Sequence, residues 1–385
     1  MNQKAYLILS DGSLWKGVNF GAPAPDVNEL ESNGNAFKGE VIFNTGMTGY
    51  HEILTDPSYT GQIVLMTYPH IGNYGDIDSW SETGPEKGRT VSRKIKTGGL
   101  IVRFFYDGPV PEGRKSLDSF LKESRVCGIS GVDTRALTLK IRREGSRNGI
   151  IVSPLSSEIT EKEVRKALEF IDRMPSMNGL DLTGYVGTAE KEIINPGGSP
   201  NVVLLDCGVK KNIINELTGR GCKVTLLPSG VSVKDVIAED PDALLLSNGP
   251  GDPEPLKGPE NIAKTLFGKI PLWGICLGHQ VLSQAAGGKT YKMPFGHHGV
   301  NHPVTDEKTG RVFVTSQNHG FAVKEESLPD GFNVRFRNAN DGSVEGIENS
   351  SINLLCVQHH PEASPGPVDS GWVFDTFLET LKNTK

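Results

Sequence analysis

Apolar residues fall into short clusters broken by turn formers, and the kind of cluster changes along the chain. Residues 5–9 are an uninterrupted apolar run, followed by Asp11-Gly12 and then by Leu14-Trp15-Lys16-Gly17-Val18. A DG step between two such runs predicts a β-hairpin, because the turn needs backbone torsions that glycine adopts at little cost. Residues 41–43, 63–66 and 100–102 predict further strands. Helices are expected over 117–123 and 134–143. The first part of the chain thus reads as α+β, with no internal repeat.

A different pattern begins near residue 154. Ile159, Val164, Leu168 and Ile171 recur at helical spacing with charges between them. Asn195-Pro196-Gly197-Gly198-Ser199-Pro200 then reads as a linker. Beyond it, short buried strands (202–205, 224–227, 243–246, 271–275) alternate with helices (210–220, 233–239, 260–267, 279–286). Such units predict a mostly parallel central sheet covered by helices on both faces. Strand texture returns at 312–314, 334–336 and 354–357, and residues 372–381 predict a closing helix. The expected fold class is α/β overall, with an N-terminal α+β domain over 1–153, a connecting segment over 154–200 and the parallel-sheet domain over 201–385.

Composition narrows the partners. The 385 residues carry 40 Lys+Arg against 46 Asp+Glu, a net charge of −6. Without a basic stripe, nucleic acid is not expected as a partner. The longest apolar run is five residues, against about 20 for a membrane span, so no membrane association is expected. The first residues lack the apolar core of a secretory signal. Five cysteines, an odd number without a CxxC pair, suit a reducing cytoplasm better than a disulfide framework.

One cysteine stands in a special context. In Trp273-Gly274-Ile275-Cys276-Leu277-Gly278-His279-Gln280 a buried strand meets a helix start at Cys276, with a glycine two residues to each side. This is the pattern of a nucleophile elbow with Cys at the reactive position. A Cβ at either glycine would crowd the turn that lifts the sulfur clear of the sheet. The helix N-terminus favours a thiolate, and the Leu277 N–H can serve an oxyanion. Cys207 also lies between a strand and a helix, but no glycine precedes it, and Cys356 lies inside a strand. Both read as packing residues.

A nucleophilic cysteine needs a base and a group to orient that base. Gln358-His359-His360-Pro361-Glu362 follows the last predicted strand. Residues two apart share a side in extended chain, so His360 shares a side with Glu362, although the sequence does not choose between His359 and His360. Two glycine-containing segments also follow predicted strands. Ser247-Asn248-Gly249-Pro250-Gly251-Asp252-Pro253 lies at the edge where open α/β sheets bind ligands. It is no phosphate loop, since no GK[ST] follows. Gln317-Asn318-His319-Gly320-Phe321 offers an amide side chain and an exposed glycine N–H. No metal site is expected: His297 and His298 point apart in extended chain, and no HExxH is present.

GICLGHQ at 274–280, SNGPGDP at 247–253 and QHHPEASPGP at 358–367 resemble the signatures of class I, triad-type glutamine amidotransferases. VIFNTGMTGYHEILTDPSY at 41–59, GVDTRALT at 131–138, GHHGVNHPV at 296–304 and QNHGFAV at 317–323 resemble the small, glutaminase chain of carbamoyl phosphate synthetase. The resemblance covers nearly the whole chain. It implies Cys276 as nucleophile with His360 and Glu362 completing a triad. It implies L-glutamine contacts at Gly46, Gly249, Gly251, Leu277, Gln280, Asn318, Gly320 and Phe321. Gly46 stands where the family commonly has Ser, and Val300 where it often has Gly. The resemblance further implies a large synthetase subunit as partner, with ATP and divalent metal held there and no cofactor in this chain. Two other readings are a stand-alone cysteine hydrolase and a non-catalytic regulatory subunit. The first would work without residues 1–150, and the second would not retain the triad residues.

Overall fold

A computed structural model of the chain describes residues 3–34, 36–88 and 94–384. Met1, Asn2, Asn35, residues 89–93 and Lys385 fall within the expected domains and lie outside the described residues. Two units form: Met1–Ser81 with Arg93–Met177, and Glu82–Ser92 with Asn178–Lys385.

In the first unit, β1 (Lys4–Leu9) and β2 (Leu14–Gly21) make the expected antiparallel hairpin around Gly12, whose φ is +81°. β3 (Lys38–Asn44) and β4 (Gln62–Met66) follow, then β5 (His70–Ile71), β6 (Gly99–Ile101), β7 (Phe104–Phe105), β8 (Cys127–Ser130) and β9 (Arg147–Val152). The order β1-β2-β8-β6-β4-β3-β9 closes into a barrel as β9 returns to β1, while β5 and β7 pair separately. Closure leaves the barrel no unpaired edge. Among the described residues four α-helices accompany it: α1 (Tyr50–Thr55), α2 (Leu117–Glu123), α3 (Thr134–Glu144) and α4 (Glu161–Asp172). Their starts are written locally. Ser116 accepts from the Ser119 N–H, Asp133 from the Ala136 N–H, and Thr160 with Glu163 forms a reciprocal capping box. Ala167, Phe170 and Ile171 are the buried apolar residues of α4, which packs on β1 and β9.

The second unit starts with β10 (Glu192–Ile194) and β11 (Asn201–Asp206), then α5 (Lys211–Gly219), β12 (Lys223–Pro228), α6 (Val233–Ile237), β13 (Ala243–Leu246), α7 (Lys257–Leu266), β14 (Leu272–Ile275) and α8 (Leu277–Ala285). The remaining elements are β15 (Lys289–Asp306), β16 (Val312–Lys324), β17 (Asn333–Asn338), β18 (Val344–Asn349), β19 (Leu354–Val357) and α9 (Trp372–Thr380). Ten strands form one sheet in the order β10-β12-β11-β13-β14-β19-β18-β17-β15-β16. The block β12-β11-β13-β14-β19 is parallel. Alternation sorts its strands onto two cores. Val202 and Leu204 join Ile213, Leu217, Phe374 and Phe377, whereas Val203 and Leu205 join Ile262, Val281 and Leu282. Each fully buried Leu, Ile or Phe contributes about 1.5–3 kcal/mol, so continuous apolar strands are what a doubly covered sheet requires.

One expectation fails here. The motif at 317–321 was expected to follow a strand, but it lies inside the long antiparallel β15–β16 pair, as does the segment 296–299. Their polar residues hide the alternation, and shifts in register between Lys292/His297 and Gly299/His302 interrupt it. Among the described residues no helix is long and apolar enough to cross a membrane.

Candidate active site at the carboxyl edge of the sheet

β11 sits between β12 and β13, so the chain reverses its direction of travel across the sheet at that strand. Ligand crevices in open α/β sheets form outside the carboxyl ends of strands at such a switch point. Four segments leave that edge here: 207–210 after β11, 247–253 after β13, Cys276 after β14 and 358–363 after β19. Strand register brings them together. Ile275 pairs with Val357, and the Cys276 N–H donates to the Val357 carbonyl at 2.8 Å.

Cys276 has φ +54° and ψ −104°, a backbone state rarely adopted by a residue with a Cβ. The surrounding glycines show why it is tolerated. A Cβ on Gly274 would lie 2.7 Å from the Gly278 carbonyl carbon, and one on Gly278 would lie 2.0 Å from the Leu246 carbonyl oxygen. The expected crowding is therefore real at both positions. The Gly278 N–H donates to the Ser247 carbonyl at 3.0 Å, tying the elbow to the 247–253 loop.

His360 is buried, and its Nδ1 lies 2.6 Å from Glu362 Oε1. The two meet across a turn closed by the Ala363 N–H on the His360 carbonyl, not along the extended chain expected from their spacing. Burial opposes the charged imidazole, but Glu362 and then Cys276 outweigh it, and the His360 pKa is held well above its ordinary value. The His360 Nε2 makes no hydrogen bond of ordinary geometry among the described residues. Cys276 is nevertheless close enough to act on the ring, and its sulfur lies 3.6 Å from the Asn318 carbonyl.

His359, left open by the sequence, occupies another environment. Its ring nitrogens make no hydrogen bond of ordinary geometry among the described residues, and the ring packs edge-on against Phe313 and Phe336. Burial pushes its pKa down to about 3, so it is a neutral packing residue.

Lys210 is a site residue that the sequence reading missed. It is 2 % exposed, its Nζ lies 3.0 Å from Glu362 Oε1, and it also donates to the Ala363 carbonyl. Burial alone would raise the Glu362 pKa, but Lys210 and then His360 overcome it and hold the carboxyl well below its usual range. A buried carboxylate of this kind persists only when paired. The available signal was faint: a lysine directly after a strand that ends at the ligand-binding edge.

The remaining predicted residues divide. Gly249 and Leu277 adjoin each other: a Cβ on Gly249 would lie 2.2 Å from the Cys207 carbonyl oxygen and 2.8 Å from Leu277 Cδ2. A Cβ on Gly251, at φ +95°, would meet the Leu180 carbonyl at 2.4 Å. Gln280 is buried, and its Nε2 donates to the Phe321 carbonyl at 2.8 Å and to Gln358 Oε1 at 2.9 Å. Asn318 Oδ1 lies 2.8 Å from His298 Nδ1. Phe321 is buried and Gly320 adjoins it on β16. Gly46 belongs to the first unit, where its N–H donates to Asn44 Oδ1 at 2.7 Å. All five cysteines are buried and none forms a disulfide.

Residues 203–380 match the family model for glutamine amidotransferase class-I, and residues 7–151 match that for the carbamoyl-phosphate synthase small chain, CPSase domain. The chain is 44 % identical over 377 residues to the carbamoyl phosphate synthase small chain of Methanopyrus kandleri, covering 97 % of this chain and 98 % of that one. It is 46 % identical over 385 residues to the protein of the same name from Methanocaldococcus jannaschii, covering 99 % and 100 %. The chain belongs to the carbamoyl phosphate synthase small-chain family. Its second unit carries the class-I glutamine amidotransferase domain, and the protein is a glutamine amidotransferase. In this small chain the four carboxyl-edge segments therefore lie within the amidotransferase match, and the barrel unit corresponds to the second, family-specific match.

Proposed function

We propose that this small chain hydrolyses L-glutamine through a covalent thioester on Cys276 and passes the ammonia to a large synthetase subunit. The observation that carries the reading is the meeting of a strained cysteine at a strand–helix elbow with a buried His360–Glu362–Lys210 relay. In this mechanism the Cys276 thiolate attacks the side-chain carboxamide carbon of glutamine. The carbonyl oxygen becomes an oxyanion, held by backbone N–H groups near Gly251 and Leu277. His360, as imidazolium, donates its Nε2 proton to the departing nitrogen, and the C–N bond breaks to give ammonia and a glutamyl thioester. Water then gives a proton to the neutral His360 and attacks the thioester. The C–S bond breaks, glutamate leaves, and the thiolate–imidazolium pair is restored. Glu362 orients His360 and stabilises its charged form, and Lys210 keeps Glu362 ionised. Gly249, Gln280, Asn318, Gly320 and Phe321 shape the glutamine pocket. Splitting a difficult displacement into two steps suits a carboxamide, which is a poor electrophile with a poor leaving group.

The partner makes carbamoyl phosphate from bicarbonate, ammonia and ATP, and it holds the ATP and divalent metal. The product serves pyrimidine or arginine biosynthesis, and the assembly works in the cytoplasm. The near-full-length likeness to proteins named carbamoyl phosphate synthase small chain supports this reading. Reconstitution tests it. Mixing the chain with the large subunit from the same source should let glutamine replace ammonia in carbamoyl phosphate formation and should raise glutamine hydrolysis. If glutamine remains ineffective while ammonia works, the partner assignment fails.

A further inference from the structure

His297 on β15, His319 on β16 and Glu345 on β18 are far apart in sequence, and all three are buried. The sheet brings one ligand atom from each within 4.8 Å of the others. We infer that these three side chains form a binding site for a divalent transition-metal ion of the zinc class. This departs from the expectation of no metal, which weighed histidine spacing along the chain and had no means of placing Glu345 beside two histidines.

The hydrogen bonds around the cluster carry the argument. His319 Nδ1 lies 2.8 Å from the Phe321 carbonyl, which can only accept, so that nitrogen bears the proton. In the neutral ring this leaves the Nε2 lone pair facing Glu345 Oε1 at 3.8 Å, with Gln317 Oε1 at 3.3 Å from the same nitrogen. His297 Nε2 lies 2.9 Å from Asp341 Oδ2, and its Nδ1 lies 3.5 Å from Glu345 Oε1 and 3.4 Å from the Asn338 amide nitrogen. The second oxygen, Glu345 Oε2, is buried and makes no hydrogen bond among the described residues. Asn338 donates to the carboxylate at 3.2 Å from Oε1, and Gln317 and His297 also lie within its hydrogen-bonding reach. Two imidazole nitrogens and a carboxylate thus converge in a buried space, where a bound ion would displace the proton that His297 shares with Glu345.

The outer contacts have the form that metal histidines adopt. Each ring nitrogen that faces away from the cluster binds a carboxylate or a backbone carbonyl, which fixes the tautomer and orients the ring. Two imidazoles and one carboxylate suit zinc, whose bonds of about 2.0–2.2 Å place tetrahedral ligands about 3.3–3.5 Å apart. The His297–Glu345 separation is already in that range. Asp341 is half exposed and lines a surface cavity of about 420 Å³ together with Val344, the neighbour of Glu345, so an ion can approach from that side.

The test uses the full chain carrying Cys276→Ser, so that the catalytic thiol offers no competing ligand. After dialysis against a chelator, the protein is titrated with Zn²⁺ and bound zinc is counted by elemental analysis. Co²⁺ titration gives a second readout, the visible absorption of a tetrahedral or five-coordinate site. One saturable zinc per chain is expected, lost in Glu345→Gln and in His319→Asn. Asp341→Asn should fold normally, because the side chain is half exposed, and should weaken zinc by roughly 10–100-fold by removing the orienting contact to His297. If the parent chain binds no stoichiometric zinc, or binds it equally well in Asp341→Asn and in folded Glu345→Gln, the proposal is overturned.

Discussion

Two buried histidine–carboxylate clusters occupy the same sheet, and they solve the burial of a carboxylate differently. At the carboxyl edge of the parallel strands, Glu362 is held between His360 at 2.6 Å and Lys210 at 3.0 Å. In the antiparallel extension, Glu345 faces His297 and His319 and, among the described residues, is paired with no lysine or arginine. In the first cluster a protein cation fixes the charges, so the histidine is free to move a proton. In the second cluster the cation is His297 itself, paired with Asp341 and Glu345, and the inferred ion would take the place of its proton. On the reading proposed above, the same residue types serve a reaction in one place and suit an ion in the other, and Lys210 is one of the differences between them.

The largest way to break the comparison is to disturb the elbow that only the first cluster has. A Cβ on Gly278 must displace the Leu246 carbonyl or the helix start. Gly278→Ala should lower kcat/KM for glutamine by roughly a hundredfold, the scale expected when a reacting atom moves by about 1 Å. Zinc binding by Glu345 should be unaffected, so steady-state kinetics and a metal count together separate the clusters.

Next comes Glu362→Gln. Because the His360 pKa is raised on folding, its pairing stabilises the fold fully below about 6.5 and fades as pH climbs through the higher folded value. Because the Glu362 pKa is lowered, its share is present above about 4.5 and is lost as pH falls through the folded value. The pair therefore contributes most between those two limits. Glu362→Gln should destabilise the chain by about 3–5 kcal/mol there and by less near pH 9.5, as read from urea midpoints. An equal loss at both pH values would mean that the pair is not ionised in the folded protein.

Lys210→Met is subtler. It removes the cation beside Glu362, so the acid limb of the kcat profile should move up by about 1–2 pH units. A flat response would reduce Lys210 to a packing role. The smallest effect is expected outside both clusters. A serine at 46 puts its Cβ 2.9 Å from Asn44 Oδ1, while Asn44 also donates to the Tyr59 hydroxyl at 2.8 Å. Gly46→Ser should destabilise the protein by about 0.5–1.5 kcal/mol, the worth of one weakened hydrogen bond, measured by urea denaturation.

The same contrast explains what was legible in the chain. The elbow could be read because its requirements are local: glycines at 274 and 278 around a cysteine, at the end of an apolar run. The hairpin at Gly12 was legible for the same reason, since such a turn is written in four or five residues. Lys210 was not, because it meets Glu362 across 152 positions and lysine is ordinarily a surface residue. Glu345 escaped notice for a related reason. The β18 strand that carries it was not expected, and β15 and β16 bury histidines, glutamine and asparagine where an apolar alternation would have announced strands. His359 and His360 are adjacent and both buried, yet only packing assigns one to Phe313 and Phe336 and the other to Glu362.

The central claim is that Cys276 is the nucleophile of a glutamine amidotransferase. The most direct measurement is peptide mass mapping after incubation of the full chain with a glutamine analogue that carries a diazoketone electrophile, with and without excess L-glutamine. The account predicts one adduct per chain, on Cys276, suppressed by glutamine and absent from Cys276→Ser. An adduct on Cys207 or Cys356, or glutamine hydrolysis by Cys276→Ser at the parent rate, would contradict it.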